Sequence, residues 1–224
     1  EASQIAIKYM TPVVLLSDGY LGQGSELWKV PRFADLPKIE AKFRTNPDNY
    51  FVYQRHPETL ARDWVRPGTP KLEHRIGGLE KDALTGAVSH DPLNHEKMVK
   101  TRAAKVAGIT REMGDLLVNG SDKGDLLLVS WGSTFGAVTQ ATTTMRAKGF
   151  DCSAVHLRWL NPLNPKLGPL LRRFRRVVVV EGNLGQLIKV LRSEFLVDAK
   201  GLNKVQGKPF KVSEICAGIE AAMK

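Results

Sequence analysis

The segment SHDPLNHE, residues 89–96, sets two histidines five residues apart beside acidic side chains. Histidine and carboxylate groups are common zinc ligands, which makes His90 and His95 candidate metal ligands. The order Asp-Pro-Leu-Asn is also typical of a turn, in which Asn94 would be the N-cap of the following helix. Residue types alone leave both interpretations open.

Two other segments, SWGST at residues 130–134 and EGNLGQ at residues 181–186, combine glycine with small polar side chains after an apolar strand. In open α/β sheets, ligands gather at the carboxyl ends of the strands, where a helix N-terminus suits an anion or a carbonyl group. Alternatively, both loops are only tight turns with capping side chains. We favour the turn for the first loop, and for the second we give the turn and a ligand or interface site equal weight. The candidate ligand or interface residues are Ser133, Thr134, Glu181, Asn183 and Gln186.

Familiar catalytic motifs do not accompany these loops. The stretch GSTFG lacks the Gly-Lys-Ser/Thr ending of a phosphate-binding P-loop. The chain contains no GxSxG or HExxH motif, and its two cysteines, Cys152 and Cys216, are too far apart for a CxxC pair. The cysteines suit a reducing compartment, and we name no catalytic residue.

From residue 125 onward, short apolar runs alternate with amphipathic helical patterns. The strands are predicted at residues 125–130, 153–160 and 177–181, and the helices at residues 135–148, 165–173, 184–195 and 215–223. This alternation predicts an α/β fold with a mostly parallel sheet, flanked by helices and joined by right-handed crossovers.

The beginning of the chain shows the same rhythm once. Residues 2–10 have the apolar spacing of a helix, and residues 13–16, VVLL, predict a short buried strand. One helix and one strand cannot form a sheet. We therefore predict that this region is the tail of an α/β domain whose body is absent.

Between residues 21 and 94 the periodicity disappears and most of the prolines occur. Connections of this length are unusual inside a compact domain, and they are typical of linkers or functional loops. Trp28 and Trp64 argue against plain disorder, because large aromatic side chains need a surface on which to pack. An ordered strap that is pinned to other surfaces is the prediction.

The chain is basic, with 33 Lys+Arg against 23 Asp+Glu and a net charge of +10, so a nucleic-acid-binding α/β domain is an alternative. Its densest cationic cluster is Arg172, Arg173, Arg175 and Arg176, directly before a predicted strand. No aromatic-studded basic sheet or zinc-finger spacing accompanies this cluster. A solvated basic face is the favoured interpretation, and no nucleic-acid partner is predicted.

The chain has no apolar run approaching the ~20 residues that span a bilayer. Its first ten residues lack the basic start and apolar core of a secretion signal. We therefore expect a soluble, cytoplasmic protein without a membrane partner.

Longer motifs carry a family resemblance. The segment PGTPKLEHRIGGLEKDALTGAVSHDPLNHEKMV is followed in order by WGSTFGAV, HLRWLNPL, EGNLGQL and LNKVQGKPF. Together these motifs resemble the C-terminal part of the alpha subunit of 2-oxoacid:ferredoxin oxidoreductases, the 2-oxoglutarate type above all. Another thiamine enzyme of the transketolase or pyruvate dehydrogenase beta type is the alternative, against which the strap motif GGLEK…HDPLNH discriminates.

The resemblance implies three regions. Residues 1–29 resemble the end of the domain that holds the pyrimidine ring of thiamine diphosphate. Residues 30–98 would be the strap, and residues 99–224 resemble the transketolase C-terminal-like domain. The catalytic segment of the alpha subunit, with its Tyr-Pro-Ile-Thr-Pro-like motif, would lie upstream of Glu1, so no catalytic residue is carried over.

The implied activity is oxidative decarboxylation of a 2-oxoacid onto coenzyme A, with electrons passed to ferredoxin. Thiamine diphosphate and Mg²⁺ would be shared with a beta subunit that also carries an iron–sulfur cluster. This segment alone would be inactive and would serve as scaffold and subunit interface. Its basic excess would attract an acidic ferredoxin.

Two departures from the family pattern bear on the strap. The family commonly reads PGTPGLEH and GNVSYDP, whereas this chain has Lys71 in the first motif, and Ala87 and His90 in the second. Lysine in place of glycine puts the backbone freedom of that turn in doubt. Because His90 stands where the family has tyrosine, a poor partner for a histidine metal pair, we predict a turn here and no metal site.

Overall fold

The computed structural model describes all 224 residues. The chain divides into two compact units. One unit comprises Glu1–Leu15 and Trp28–Glu112, and the other comprises Leu16–Leu27 and Met113–Lys224.

The second unit is built around one five-stranded sheet with the strand order β1-β3-β2-β4-β5. The strands are β1 (Val118–Asn119), β2 (Gly124–Trp131), β3 (Cys152–Leu157), β4 (Phe174–Glu181) and β5 (Ala199–Asn203). Strand β1 is antiparallel to β3, and the other three pairings are parallel. The mostly parallel α/β sheet predicted from the sequence is confirmed.

Helices cover both faces of this sheet, because its central strands are apolar on both sides. The helices of this unit are α2 (Gly19–Gln23), α4 (Phe135–Ala147), α5 (Leu167–Leu171), α6 (Gln186–Phe195) and α7 (Val212–Met223). Leu127 and Val179 pack with α5 and α6 on one face. Leu128 and Val180 pack with α4 and α7 on the other. The four predicted helices are therefore confirmed, with ends shifted by a few residues.

The first unit contains α1 (Ala2–Tyr9), α3 (Pro92–Gly108) and a long irregular segment between them. The indole N–H of Trp64 donates to the Ile7 carbonyl oxygen at 3.0 Å, which fastens the strap to α1. Arg44 pairs with Asp63 at 2.9 Å within the strap. These contacts hold the part of the strap around Trp64, whereas Trp28, which was also expected to pack on a surface, is exposed in this chain. The extent of the strap stays a prediction.

The segment at residues 89–96 is the start of a helix, but its cap differs from the prediction. Asp91 is the N-cap of α3 and accepts from the Leu93 amide at 3.0 Å. Asn94, predicted to be that cap, is buried one turn later. Its side-chain oxygen accepts from the Ala83 amide at 2.9 Å and its nitrogen donates to the Lys81 carbonyl at 2.8 Å. Asn94 therefore ties the strap to α3, because a buried amide needs both kinds of partner.

The strand predicted at residues 13–16 is wrong for this chain. These residues form no strand, and Val14 and Leu15 are 79% and 83% exposed. An all-apolar strand needs neighbours for its backbone and both of its faces, and residues 13–16 pair with no strand here. None of the helices combines the length and the apolar character that a membrane-spanning segment requires.

Candidate functional site

The carboxyl ends of β2 and β4 bring the two predicted loops to the same edge of the sheet, since these strands are parallel neighbours. Glu181 is the last residue of β4, and its side chain has no exposed surface. Its Oε2 atom accepts from the Leu187 amide at 2.9 Å and from the Trp131 indole at 3.3 Å. Its Oε1 atom accepts from the Ile188 amide at 3.0 Å.

These contacts explain how a carboxylate tolerates complete burial. A carboxylate that accepts N–H groups at the start of a helix is stabilised by charge-assisted hydrogen bonds and by the helix dipole. All three donors to Glu181 come from its own unit. Glu181 therefore joins β2, β4 and the first turn of α6, without a donor from another domain.

Asn183 organises the turn between β4 and α6. Its Oδ1 atom accepts from the amides of Gly185 at 2.7 Å and Gln186 at 3.2 Å. Gly185 has a φ of +88° in the left-handed region that favours glycine. The side-chain Nδ2 of Asn203 donates to the backbone carbonyl oxygen of Asn183 at 3.0 Å and so ties β5 to this turn. The side chain of Gln186 is exposed.

The first loop is organised in a similar way. Thr134 is buried, and its hydroxyl donates to the Trp131 carbonyl oxygen at 2.8 Å. Asp18 is the N-cap of α2 and accepts from the Leu21 amide at 3.0 Å. The Ser133 hydroxyl and the Leu21 amide, in that order of effect, hold the pKa of the Asp18 carboxyl below its ordinary value.

A further pair at this edge was missed by the sequence analysis. Ser130 Oγ lies 2.8 Å from His156 Nδ1. The Phe135 ring packs edge-on against the imidazole, with 4.9 Å between the two ring centroids. Burial, with a smaller effect from the charge of Arg158, lowers the pKa of His156 below its ordinary value. Ser130 is 1% exposed, too buried to act as a nucleophile. The parallel register of β2 and β3 places Ser130 beside His156, and the periodicity of the sequence does not predict that register.

His90 and His95 do not come together with a set of metal ligands. The Nδ1 atom of His95 lies 2.8 Å from Glu80 Oε2 on an exposed surface. No group of three or more His, Cys, Asp or Glu side chains in the chain has the geometry to hold a metal ion. That this protein binds no metal here stays a prediction.

The loops at the carboxyl edge thus hold themselves in place. No buried side-chain nitrogen or oxygen atom in the chain lacks a hydrogen-bond partner, so none of them is left over for a ligand. The exposed side chains that remain at this edge, Leu184, Gln186 and Phe135, suit a contact surface better than a reaction centre. A ligand or interface role for the five predicted residues stays a prediction.

Comparison with known proteins adds the wider context. Residues 115–187 match the family model described as transketolase, C-terminal domain. Over its whole length the chain is 45% identical to the 2-oxoglutarate oxidoreductase subunit KorA of Mycobacterium tuberculosis, of which it covers 34%. It is 29% identical to subunit alpha of 2-oxoacid:ferredoxin oxidoreductase 1 of Aeropyrum pernix, with 98% of this chain and 35% of that subunit aligned.

A solved structure agrees with these sequence relatives. The 2-oxoglutarate:ferredoxin oxidoreductase from Magnetococcus marinus, with 2-oxoglutarate, coenzyme A and succinyl-CoA bound, superimposes with a TM-score of 0.89 and 28% identity. The superposition covers 99% of this chain and 39% of that one. The chain thus spans about a third of the length of these two relatives. Its entire length corresponds to a part of the alpha subunit of 2-oxoacid:ferredoxin oxidoreductases, which confirms the family that its motifs indicate.

Proposed function

We propose that this chain is the C-terminal part of the alpha subunit of a thiamine diphosphate-dependent 2-oxoglutarate:ferredoxin oxidoreductase. The observation that carries the proposal is the 45% identity to a 2-oxoglutarate oxidoreductase subunit along all 224 residues. An isolated transketolase-type domain would account for residues 115–187 alone, and the strap would then lack a relative. The reaction is oxidative decarboxylation of 2-oxoglutarate onto coenzyme A, with electrons passed to ferredoxin.

Within that enzyme, the chain acts as scaffold and subunit interface. Residues 1–29 would complete the pyrimidine-binding domain, residues 30–98 would form the strap, and residues 99–224 the transketolase C-terminal-like domain. The exposed apolar side chains support this role, because a surface rich in them is typical of a protein interface. They include Leu15, Leu27, Trp28, Val30 and Phe33.

The cofactors would be bound largely by other parts of the enzyme. Mg²⁺ needs several oxygen ligands in one place, and this chain offers no such cluster of carboxylates. We therefore assign thiamine diphosphate and Mg²⁺ to the upstream part of the alpha subunit and to a beta subunit, which would also hold the iron–sulfur cluster. Those two polypeptide regions and ferredoxin are the proposed partners, in the cytoplasm.

The test compares the intact protein that contains this chain with the 224-residue chain alone. Both receive thiamine diphosphate, Mg²⁺, coenzyme A, 2-oxoglutarate and an artificial electron acceptor, and the beta subunit is supplied with the intact protein. The intact assembly should reduce the acceptor only when 2-oxoglutarate and coenzyme A are both present, and the chain alone should equal the blank. Turnover by the chain alone, or an intact enzyme indifferent to 2-oxoglutarate, would refute the proposal.

A further inference from the structure

A cavity of about 220 Å³ lies where β4 and β5 begin, at the end of the sheet opposite to the candidate loops. Its apolar lining includes Phe174, Val177 and Val197. This volume is below the roughly 300–1,000 Å³ of pockets that enclose whole drug-sized ligands. It corresponds to about seven water molecules at ~30 Å³ each, which is room for a compact polar group.

Four cationic side chains line this cavity, namely Arg172, Arg175, Arg176 and Lys200. One carboxylate, Asp198, also lines the cavity. Its Oδ1 atom lies 3.8 Å from Nη2 of Arg192, which does not line the cavity. Four positive charges against one negative charge leave the lining with a net charge of +3. The strand-opening run of arginines in the sequence is therefore gathered around a concave space.

None of the four cations has a hydrogen bond or ion pair from its side chain within the chain. Their neighbour Arg173 differs, because it pairs with Asp122 at 2.5 Å and does not line the cavity. Arg172, Arg175 and Lys200 are exposed and Arg176 is half-buried, so the charged groups around the cavity are open to an anion from solvent.

The strand register puts two of these charges on the same face of the sheet. Lys200 on β5 pairs with Val178 of β4, and Arg176 lies two residues before Val178 on the same face of the sheet. Both side chains therefore project from regular backbone and not from a mobile loop. Arg175 projects to the other face of β4, so the cations surround the strand ends from both sides.

We propose that this cavity binds a small ligand through a diphosphate or similar paired-phosphate group. Arginine guanidinium groups suit phosphate oxygens because they donate two parallel hydrogen bonds at once. Neighbouring phosphate groups match several cations better than one carboxylate does. The apolar floor would receive the uncharged part next to the phosphates. The proposal does not depend on the proposed function, since it concerns a different edge of the sheet.

An acidic protein such as ferredoxin is the rival occupant of a basic surface. Protein partners dock on broad, flat patches, whereas these four charges converge on a recess. Small ligands are bound in concave, partly apolar sites with a few placed polar groups. The shape of the site therefore favours the small anion.

Calorimetric titration of the intact protein with inorganic diphosphate, in magnesium-free buffer at low salt, tests the proposal. The double variant Arg175→Gln, Arg176→Gln should bind diphosphate at least tenfold more weakly, about 1.4 kcal/mol. Lys200→Gln provides a second, milder variant in case the double variant folds poorly. Arg173→Gln is the matched control from the same run and should stay within twofold of the unsubstituted protein.

Each other outcome overturns the proposal. Equal affinities for the double variant and Arg173→Gln would place the diphosphate elsewhere. Absence of binding by the unsubstituted protein at millimolar diphosphate would show that the charges are only solvated. Loss of reaction rate with acidic ferredoxin, but not with a neutral acceptor, in a variant that still binds diphosphate normally would assign the arginines to a protein surface.

Discussion

Two apolar runs of four residues, VVLL at 13–16 and VVVV at 177–180, look alike as sequence. Val179 and Val180 lie in the middle of the sheet with no exposed surface, whereas Val14 and Leu15 are almost fully exposed. The later run has β2 and β5 as paired neighbours and helices on both faces. Residues 13–16 pair with no strand of the chain.

The difference shows what an apolar run establishes. An apolar run indicates that other parts of the protein pack over the segment, because burying aliphatic surface stabilises a protein by about 25 cal/mol per Å². It does not say which part of a protein covers it. For residues 177–180 the cover lies within this chain, and for residues 13–16 we propose that it lies in the rest of the alpha subunit.

The largest effect should come from placing a charge in each run. Val179→Asp buries an unpaired carboxylate between two helical layers and should cost several kcal/mol of unfolding free energy, enough to unfold the chain. Val14→Asp should change the unfolding free energy of the chain alone by less than about 0.5 kcal/mol, because the side chain is exposed. Chemical denaturation of the two variants measures both values. Equal losses of unfolding free energy would show that residues 13–16 are as well covered in the chain alone as residues 177–180.

A second test concerns the buried carboxylate that closes the covered run. Glu181→Gln keeps the shape but removes the charge and one acceptor oxygen, which leaves an amide of α6 without its partner. The chain should stay folded and lose about 1–2 kcal/mol of unfolding free energy. Glu194→Gln, on the exposed side of the same helix, is the control and should be neutral. An unchanged stability for Glu181→Gln would mean that the carboxylate does not hold α6.

Two lysines differ in the kind of partner that each has, a carboxylate for one and a backbone carbonyl oxygen for the other. Lys204 is 8% exposed in its side chain but pairs with Glu214 at 2.7 Å. Lys105 has the Met10 carbonyl oxygen as its hydrogen-bond partner at 2.9 Å. Burial, followed by the charges of Arg55 and two other arginines, lowers the pKa of Lys105 to about 8.

This depressed pKa predicts a pH effect of known sign. Between pH 8 and about 10.5 the folded chain holds Lys105 neutral while the unfolded chain binds the proton, so stability rises with pH across that window. With screening by solvent taken into account, the rise in unfolding free energy should be about 1 kcal/mol, and Lys105→Met should remove it. Unfolding measured at pH 7.5 and 10, with the exposed Lys97→Met as control, tests it. An equal rise in Lys105→Met and in the unsubstituted chain would contradict the assignment.

The smallest effect concerns the turn in which this chain departs from its family. Lys71 adopts a φ of +63°, in the left-handed region that glycine occupies without strain. Lys71→Gly should therefore raise the unfolding free energy by about 0.5–1 kcal/mol. Lys97→Gly, inside α3 with ordinary helical backbone, should lower it by a similar amount. A destabilised Lys71→Gly would show that the lysine side chain makes up for its strained backbone.

The sheet unit could be predicted well because its periodicity matches contacts made inside the chain. Residues 177–180 and the helix that follows pack against other elements of this same chain. The short edge strands β1 and β5 were missed, because Lys200 and Gly201 lack an apolar strand pattern and only pairing with β4 makes them extended. Register also decided the Ser130–His156 pair, which lies 26 residues apart in the chain.

The two candidate loops lie together at one edge of the sheet, because they follow parallel neighbouring strands, but their role as a functional site stays a prediction. The position of Glu181 at a strand end was readable from the sequence. The identity of its donors, Leu187, Ile188 and Trp131, depends on how α6 returns over the sheet. The prediction of Asn94 as the helix N-cap was wrong for a related reason. An asparagine side chain can cap a helix or bond a neighbouring segment, and only the packing of residues 81–83 against α3 decides which.

Hydrogen exchange at the amides of residues 13–16 tests most directly whether the rest of the alpha subunit covers this run. The measurement compares the 224-residue chain with the intact protein, and residues 177–180 serve as the internal reference. We expect residues 13–16 to exchange without protection in the chain alone and to be strongly protected in the intact protein, while residues 177–180 are protected in both. Unprotected exchange of residues 13–16 in the intact protein would contradict it.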